Sequence, residues 1–334
     1  MSVLNTDVTR GRGGTESPEV SARFETSMVD LPLVSIVTPS LNQGEFLEDT
    51  LLSVANQTYP HIEHLVIDGG STDRTLELLR KYESRYALRW CSERDTGQAH
   101  AVNKGFAQAK GDIVAWLNSD DVYFSPTTIS QVVEGFRQRP AAGVLYGDTA
   151  LINAEGLIYR FLPSLKRVAF RRLGYYCPSL VSSFMRRQVV QAFPLRDDLH
   201  YRMDHEYWVR LCRAGVLFSY VPKVWAAFRV HPKSKTTALG YALDEDLLRI
   251  RRQYFHGSWQ VRWPVESVLR RSVGAWLRLR GAARLGELYE TPLAFPGKRM
   301  SRLAFYRYQL FSRTFDHALL VYRRHNFSVK GSEV

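Results

Sequence analysis

Two adjacent aspartates end a short apolar run in the segment WLNSDDVY, residues 116–123. Like charges held this close are unfavourable unless a cation or hydrogen-bond donors offset them. Mg²⁺ and similar divalent cations favour one or two carboxylates together with phosphate oxygens and water. The turn at Asp120 and Asp121 therefore predicts a platform for a metal-bound diphosphate. The alternative is a solvated turn that caps the following helix.

A second polar turn, IDGGSTDRT at residues 67–75, follows another apolar run. Its paired glycines permit a tight reversal, while Ser71 can cap the next helix and Asp73 suits the positive first turn of that helix. These assignments leave Asp68 free to accept hydrogen bonds from a base or a ribose. The chain contains neither GxGxxG nor GxxxxGK[ST], which excludes the usual dinucleotide fingerprint and the P-loop.

These turns need elements to position them, and five apolar runs separated by helical patterns provide such elements. The runs are LVSIVT, IEHLVID, LRWCSE, DIVAWLN and AGVLYGD, all between residues 33 and 148. Near-continuous apolar strands that alternate with helices indicate a mainly parallel sheet covered on both faces. Ligands bind beyond the carboxyl ends of such strands. The predicted ends carry Thr38, Pro39, Asp68, Asp95 and the turn 118–121.

Six motifs in this order resemble those of the inverting family 2 glycosyltransferases of the GT-A fold. They are VSIVTPSLNQGEFLEDTLLSVANQTYP, VIDGGSTDRT, ERDTGQAHAVNKG, WLNSDD, MDHEYWVRL and RVHPKS, and they span residues 33 to 235. The resemblance implies a Rossmann-like α/β domain with helices on both faces of its sheet. It also implies transfer of a sugar from a nucleotide-sugar donor to an acceptor hydroxyl, with Mn²⁺ or Mg²⁺ as cofactor.

The resemblance assigns the binding residues position by position. The nucleotide-sugar-binding residues that it implies are Thr38, Pro39, Asp68, Asp95, Asn118, Asp120 and Asp121. Asp120 matches the metal-binding aspartate of the family's D-x-D motif, and His231 of RVHPKS is implied to meet the metal or a phosphate oxygen. Asn118 stands where the motif has its first aspartate, so metal affinity is expected to depend more on the diphosphate. Arg229 or Lys233 is expected to offset negative charge.

The segment MDHEYWVRL is similar to the one that carries the general base in this family, with Asp204 at the base position. Tyr207 and Trp208 recur at helical spacing with Asp204, so the carboxylate is expected near the start of a helix whose aromatic face is buried. The alternative is a helix N-cap at Asp204, and Glu206 is the rival carboxylate. CPSLVSSFMRR, residues 177–187, resembles the acceptor-side segment of the family.

The composition is that of a globular protein. The chain has 334 residues, 45% hydrophobic and 23% charged, which excludes collagen-like, low-complexity and wholly disordered classes. No apolar run reaches the roughly 18 residues of a membrane span, and the N-terminus lacks the apolar segment of a secretory signal. The sequence therefore predicts a cytoplasmic protein. Three scattered cysteines give neither a disulfide framework nor a zinc-ligand spacing.

The net charge of +12 comes entirely from the last part of the chain. Residues 249–334 hold 17 Lys+Arg and 5 Asp+Glu, whereas residues 1–248 hold 28 of each. The predicted organisation is a flexible tail at residues 1–30, a GT-A catalytic domain at 31–240 and a helical basic region at 241–334. The basic charge thus belongs to an extension of a neutral catalytic domain.

One stretch of the basic region, VESVLRRSVGAWLRLR at residues 265–280, has an apolar helical stripe with arginines beside it. The stripe comprises Val265, Val268, Leu269, Val273, Trp276 and Leu277. Such a helix lies on an anionic membrane surface or packs on the catalytic domain with its arginines in solvent. No nucleic-acid-binding motif accompanies the charge, so we expect no nucleic-acid partner.

The function that the resemblance implies is inverting, metal-dependent glycosyl transfer, and by analogy its setting is surface polysaccharide or glycolipid assembly. The partners are a nucleotide-sugar donor and a glycan or lipid-linked acceptor. If the basic region binds lipid, the protein is peripheral on the inner face of the membrane. The competing hypothesis is a non-catalytic nucleotide-sugar-binding or membrane scaffold protein of the same fold. A nucleotidyltransferase is disfavoured because no Gly-rich phosphate loop follows the first strand.

Overall fold

The computed structural model of the chain describes residues 31–173, 176–199, 201–235, 242–255 and 275–311. The tail predicted at residues 1–30 lies outside these ranges, as do Val265, Val268, Leu269 and Val273 of the predicted stripe.

Strands and helices alternate through the first half of the described chain. The strands are β1 (Val34–Ser40), β2 (Ile62–Asp68), β3 (Leu88–Ser92), β4 (Ile113–Trp116), β5 (Val122–Tyr123), β6 (Val144–Ile152), β7 (Leu157–Leu162), β8 (Ser183–Arg186), β9 (Phe218–Arg229) and β10 (Lys298–Arg299). The helices are α1 (Leu47–Ala55), α2 (Thr75–Tyr82), α3 (Gln98–Gln108), α4 (Thr128–Gln138), α5 (Phe170–Leu173), α6 (Arg187–Ala192), α7 (Met203–Arg213), α8 (Ala242–Tyr254), α9 (Leu285–Glu290) and α10 (Arg302–Phe311). A 3₁₀ turn covers Leu180–Ser182, and residues 275–283 are also helical.

The strands form one mixed sheet in the order β10-β7-β6-β8-β4-β1-β2-β3, with β9 paired to β5 and β6. β1 to β4 are parallel neighbours, which confirms the predicted α/β class with a mostly parallel central sheet. The fifth apolar run, which forms β6, does not continue this parallel series, because β8 lies between β4 and β6 and is antiparallel to both. A pattern of local hydrophobicity carries no information on which distant strand pairs with which.

The carboxyl ends of three strands lie level at one edge of the sheet. Ser40 pairs with Asp68 across β1 and β2, and Val37 pairs with Trp116 across β1 and β4. The turn 118–121 therefore begins just beyond β4, beside the ends of β1 and β2. Because parallel strands end together, this edge collects the polar turns that the sequence singled out.

Helix α3 packs directly on the sheet behind this edge. A Cβ added to Gly105 would lie 2.2 Å from Val37 Cγ1, a separation that no side chain tolerates. Glycine therefore lets the helix backbone approach the strand closely. Val102 and Phe106 of the same helix are buried in the core formed with this strand.

His64 of β2 is fully buried between two hydroxyl groups. Its Nε2 lies 2.9 Å from Thr38 Oγ1, and its Nδ1 lies 2.8 Å from the hydroxyl of Tyr86. Burial lowers the pKa of His64 from 6.5 to about 3, because a charged imidazole would lose its hydration there. The folded protein thus keeps His64 neutral at pH values where the unfolded chain protonates it.

We expect acid to weaken the fold through His64. Its pKa is lower in the folded state, so stability is lost as pH falls below 6.5, and the loss grows until about pH 3. At about pH 5 this loss is about 2 kcal/mol relative to neutral pH. Urea unfolding of the wild type and of His64→Gln at both pH values measures it, since the variant should lose less stability on acidification. An equal loss in both proteins would contradict the prediction.

The described part of the C-terminal region packs on the strands of the sheet. β10 extends the sheet beside β7, and the side-chain amide of Gln309 makes two hydrogen bonds of 3.0 Å with the Phe161 backbone. Leu277 is buried, as a packed stripe requires, whereas Trp276 is 48% exposed. No helix among the described residues combines the length and apolarity needed to span a membrane.

Two arginines of this region, Arg280 in the predicted stretch and Arg284 beyond it, are directed inward. The packed alternative had placed the arginines of the stretch in solvent. Arg284 forms an ion pair with the fully buried Asp148, which also accepts hydrogen bonds from the Tyr220 hydroxyl at 2.8 Å and the Ser164 N–H at 2.6 Å. Arg280 donates to the Ser164 carbonyl at 2.7 Å. Burial raises the pKa of Asp148, while Ser164 and Arg284 act to lower it. A buried carboxylate is costly without a cation, so the Asp148 charge requires the ion pair with Arg284.

We expect Arg284→Met to lower the free energy of unfolding by about 3–5 kcal/mol, because it leaves the buried Asp148 without its cation. The double variant Asp148→Asn/Arg284→Met should recover part of this loss, since the buried charge is then gone. Arg278→Met is a matched control on the same helical segment, because Arg278 has no ion-pair or hydrogen-bond partner among the described residues. Urea denaturation checks all three, and a loss as large in the control as in Arg284→Met would refute the assignment.

Candidate active site

Asp121 is fully buried, and both of its carboxylate oxygens have protein partners. Oδ1 accepts the Arg229 backbone N–H at 2.8 Å, and Oδ2 accepts the Asn118 side-chain N–H at 2.9 Å. Burial, and after it the neighbouring Asp120 charge, raises the pKa of Asp121 well above its ordinary range. We expected Asp121 to contact the nucleotide-sugar donor. In the structure its side chain instead bonds to the protein and orders the turn from inside.

The amide of Asn118 holds the same turn together. Its oxygen accepts hydrogen bonds from Trp116 Nε1 at 2.8 Å and Gln98 Nε2 at 2.9 Å, and its nitrogen donates to Asp121. An aspartate at position 118 would bring no donor and would place a third carboxylate beside Asp120 and Asp121. The amide, expected to bind a ribose hydroxyl, is thus committed to three protein groups.

Two buried hydroxyl groups of helix α1 support the turn and the strand that follows it. Thr50 Oγ1 donates to the Ser119 carbonyl at 3.0 Å and to the Asp121 carbonyl at 2.8 Å. Ser53 Oγ accepts the Tyr123 N–H at 3.1 Å. These buried hydroxyls satisfy backbone groups of the turn, which explains their place inside the core.

Asp120 is the carboxylate of the turn that faces outward. Its side chain is 19% exposed, and its Oδ2 lies 3.0 Å from His231 Nε2. The His231 ring is buried against Phe46, with 4.2 Å between the ring centroids, and its Nδ1 has no hydrogen-bond partner among the described residues. The structure therefore brings together the two residues that the sequence predicted as metal ligands.

This pair fits a divalent cation that takes its other ligands from a substrate. Two neighbouring ligand atoms on an octahedral Mg²⁺, with bonds of about 2.1 Å, are about 3.0 Å apart. The Asp120 and His231 atoms have that separation. No group of three or more His, Cys, Asp or Glu side chains in the described ranges could hold a metal ion alone. A diphosphate and water would supply the remaining ligands.

Arg229 and Lys233, the two cations expected near the phosphates, have other partners. Arg229 is fully buried, donates to the Asp120 carbonyl at 2.9 Å and pairs with Asp49 at 2.7 Å. Its guanidinium therefore braces the turn against α1. Lys233 is exposed and pairs with Glu45 at 2.8 Å. Neither side chain is directed at the Asp120 carboxylate in the structure.

The carboxylate of Asp68 is enclosed by its own turn, contrary to the expectation that it is free. Oδ2 accepts the Ser71 N–H at 2.8 Å and the Ser92 hydroxyl at 2.6 Å, and Oδ1 accepts the Ser71 hydroxyl at 2.5 Å. The side chain is fully buried. Asp68 thus fixes the shape of the loop that follows β2 and presents no exposed oxygen to a ligand.

The other predicted nucleoside residues differ in how deeply they are buried. Thr38 is buried with its hydroxyl directed at His64, and Pro39 is buried in the same strand. Asp95 is half-buried and accepts the Gly97 N–H at 2.9 Å. A Cβ at Gly69 would lie 2.8 Å from Asp95 Oδ2, so this carboxylate packs directly on the turn after β2. Of the predicted nucleoside set, Asp95 therefore keeps an accessible carboxylate at the edge.

A cleft of about 310 Å³ opens beside the Asp120 and His231 pair. Its lining residues are Asn42, Gln43, Glu45, Phe46, Asp73, Arg74, His231 and Lys233. Asn42 Oδ1 accepts the Thr72 N–H at 2.9 Å, and Asp73 Oδ2 accepts the Gly44 N–H at 2.8 Å. These bonds join the loops after β1 and β2 into one wall of the cleft.

Asp204 is half-buried at the second position of α7, and Arg202 occupies the N-cap position that was the alternative role of Asp204. Burial, with the Asp204 charge adding to it, raises the pKa of Cys177 to about 12. Cys177 also packs against the core cluster that contains Met203, the residue before Asp204, so the carboxylate lies near the predicted acceptor-side segment. Its rival Glu206 is fully buried and is bonded by Arg210 at 3.1 Å and by the Tyr254 hydroxyl at 2.5 Å. Asp204 is thus the more accessible carboxylate of the two.

Lys235 lies between the turn 118–121 and the start of α7. Its Nζ lies 3.3 Å from Gln98 Oε1 and 5.7 Å from the ring centroid of Tyr201, three residues before Asp204. Gln98 in turn donates to Asn118. Burial lowers the pKa of Lys235, and the Asp95 charge opposes this effect. The two halves of the predicted site, at the strand ends and at α7, are therefore joined through two side chains.

Four residues of this site were not predicted as functional. They are Phe46, Asp49, Gln98 and Lys235. Phe46 and Gln98 were within recognised segments, but their types suggested a core position and a helix start. Asp49 contacts Arg229 of β9, and Lys235 contacts Gln98 of α3. These partners are distant in the chain, so no local pattern could indicate either residue.

Comparison with known proteins assigns a family. The model of "Glycosyl transferase family 2" matches residues 35–190. An uncharacterized glycosyltransferase of Nostoc sp. is 30% identical over 224 residues, which cover 64% of this chain and 69% of that protein. An uncharacterized glycosyltransferase of Mycobacterium tuberculosis is 39% identical over 36% of this chain, and TuaG of Bacillus subtilis, named for teichuronic acid biosynthesis, is 43% identical over 27% of it. The chain spans only 46% and 36% of these last two relatives.

Solved structures resemble the fold at low sequence identity. TarS 1–349 of Staphylococcus aureus, in complex with UDP-GlcNAc, has a TM-score of 0.53 and 19% identity, covering 66% of this chain and 65% of that one. The mannosyltransferase PcManGT of Pyrobaculum calidifontis, with GDP-Man and Mn²⁺, has a TM-score of 0.50 and 19% identity, covering 88% and 80%. At these identities the likeness concerns the arrangement of strands and helices.

Proposed function

This chain belongs to the family 2 glycosyltransferases and has their GT-A fold, and from that premise we propose that it is an inverting, metal-dependent enzyme. Its donor is a nucleoside diphosphate sugar and its acceptor carries a hydroxyl group. The observation that carries this proposal is the 3.0 Å contact between Asp120 and His231 at the carboxyl edge of the sheet. That pair lies beside a cleft and is linked through Lys235 to the helix of Asp204.

The chemistry requires charge stabilisation on the leaving group and removal of one proton. A divalent cation held by Asp120 and His231 would stabilise the negative charge that develops on the departing diphosphate. Asp204 accepts the proton of the acceptor hydroxyl as that oxygen bonds to the anomeric carbon. With Asp204 and the diphosphate on opposite faces of the sugar, displacement inverts the anomeric configuration.

Lys235 is the cation that we assign to the donor side, in place of Arg229 and Lys233. Arg229 is buried in the support of the turn, and Lys233 is paired with Glu45 at the outer rim of the cleft. The Lys235 ammonium lies against Gln98 and is influenced by the Asp95 charge. Lys235 is exposed and lies against the neutral amide of Gln98, where its positive charge would attract an anionic donor group.

The acceptor class is a glycan or a lipid-linked sugar in surface polysaccharide assembly. TuaG, which is 43% identical over the matched segment, is named for the biosynthesis of such a polymer. The second candidate is a nucleotide-sugar-binding protein without catalysis. Turnover distinguishes the two, because both would bind the donor.

Donor binding and donor breakdown together test the proposal. The full chain is incubated with UDP-sugars and GDP-sugars, with Mn²⁺ or with EDTA, and its melting temperature and the release of nucleoside diphosphate are measured. We expect at least one donor to raise the melting temperature and to be consumed only with the metal. Binding without release would favour the non-catalytic candidate, and absence of binding to every donor would overturn the proposal.

A further inference from the structure

An apolar face lies exposed on the helical segment 275–283. Trp276 is 48% exposed and Leu279 is 62% exposed, and Ala283 is also exposed. Leu279 and Ala283 follow Trp276 by three and seven positions, so the three residues share one face of the helix. Leu277 and Ala282, on the opposite side, are buried. The face that the structure exposes is therefore Trp276, Leu279 and Ala283, whereas the sequence pattern had joined Trp276 with Leu277.

The catalytic domain holds this face in a fixed orientation. The Arg280 guanidinium lies 5.4 Å from the Trp276 ring centroid and 5.1 Å from the ring centroid of Tyr220 in β9. A Cβ added to Gly281 would lie 2.5 Å from Gln309 Nε2, so the segment also packs tightly on α10. Single exposed apolar residues need no explanation, but a rigid helix turn that presents tryptophan and leucine together marks an interaction surface.

The region of the chain that carries this face is basic. Residues 275–311 contain seven Lys+Arg and two Glu. Arg280, Arg284 and Arg299 bond to protein oxygens. Lys298 and Arg302 are exposed. A second copy of this chain would bring like charges together, which disfavours a dimer. An anionic lipid surface instead matches the charge and receives tryptophan and leucine at the headgroup boundary.

We propose that the face formed by Trp276, Leu279 and Ala283 docks the protein on an anionic lipid bilayer. The apolar side chains enter the headgroup region while exposed Lys and Arg side chains of the same region meet lipid phosphates. This binding is independent of the donor site and of the identity of the sugar. It places the catalytic domain at a surface where a lipid-linked acceptor would be presented.

Vesicle flotation of the full chain tests the proposal. Phosphatidylcholine vesicles with phosphatidylglycerol are compared with phosphatidylcholine vesicles alone. We expect binding to the anionic vesicles, at least about tenfold weaker binding to the neutral ones, and a decrease with added salt. Absence of binding, or equal binding to both vesicles, would overturn the proposal.

Two matched leucine variants separate the apolar face from bulk charge. Leu279→Glu should bind anionic vesicles at least about tenfold more weakly than the wild type. Leu217→Glu, at a leucine 58% exposed in the catalytic domain, should bind like the wild type. Wild-type binding by Leu279→Glu would refute the docking face.

Two further measurements identify other occupants of the face. If Leu279→Glu lowers the melting temperature without lipid, or converts a dimer to a monomer, the face is covered by protein and the proposal fails. Duplex DNA that displaces the wild type from vesicles and loses affinity in Leu279→Glu would assign the face to nucleic acid, which also overturns it. Unchanged melting temperature and oligomeric state in both variants, with the vesicle defect confined to Leu279→Glu, supports it.

Discussion

Asp204→Asn is expected to lower kcat by about 10²–10⁴-fold while donor affinity changes by less than about twofold. The amide has the size of the carboxylate but does not accept the proton of the acceptor hydroxyl. Because Asp204 lies at the start of α7 and the proposed metal pair lies at the strand ends, the substitution would remove the proposed base without touching the proposed donor ligands. Steady-state kinetics, together with calorimetric titration of the donor in the presence of Mn²⁺, measures both quantities.

Glu206→Gln is the matched control, two residues further along the same helix. Glu206 is buried with Arg210 and Tyr254, so its substitution should lower stability and leave kcat per folded molecule close to that of the wild type. A large loss of kcat in Glu206→Gln with full activity in Asp204→Asn would reverse the assignment of the base. Near wild-type turnover in Asp204→Asn would by itself refute it.

Asp120→Asn is expected to weaken donor binding in the presence of Mn²⁺ by at least roughly 100-fold, because loss of an outer-shell partner alone weakens metal affinity 10–100-fold. The free protein should be no less stable than the wild type, since the buried Asp121 then loses a neighbouring like charge. Donor titration with Mn²⁺ and with EDTA, together with urea unfolding, separates these effects.

Asp112→Asn is the corresponding control, an exposed carboxylate one residue before β4, at the end of that strand opposite to the turn. It should leave donor binding unchanged with either Mn²⁺ or EDTA. If Asp120→Asn binds the donor as the wild type does when Mn²⁺ is present, Asp120 is not a ligand. The same titration with His231→Ala should give a similar loss, because both side chains are proposed to contact one ion.

Much of the fold followed from local patterns. The apolar runs of β1, β2 and β4 are nearly continuous because both faces of these inner strands are buried. β3 lies at the edge of the sheet, and Leu88 is its one buried residue. The polar turns after these strands lie at one edge because parallel strands end together. The position of β8 was beyond such reasoning, since strand order depends on pairing between distant segments.

The roles of individual acidic residues were harder to predict than their location. Asp68, Asp120 and Asp121 are the same residue type in similar turns, yet Asp68 and Asp121 are enclosed by donors and Asp120 faces outward. Whether a carboxylate meets protein or ligand depends on donors supplied by other elements, such as Ser92 of β3 and the backbone of β9. These donors are far away in the chain, so the local sequence carries no record of them.

The sequence by itself determined the fold class and the edge of the sheet that carries the site, because hydrophobic spacing and turn residues are local quantities. The pairing of Asp120 with His231 was implied by the resemblance to a family. Only the tertiary structure decided that Arg229 braces the turn, that Lys235 joins the two halves of the site, and that Arg284 is committed to a buried carboxylate. The physical reason is that burial and ion pairing depend on which segments meet after folding. The same residue type can be exposed at one position and enclosed by partners at another, and the sequence does not distinguish the two cases.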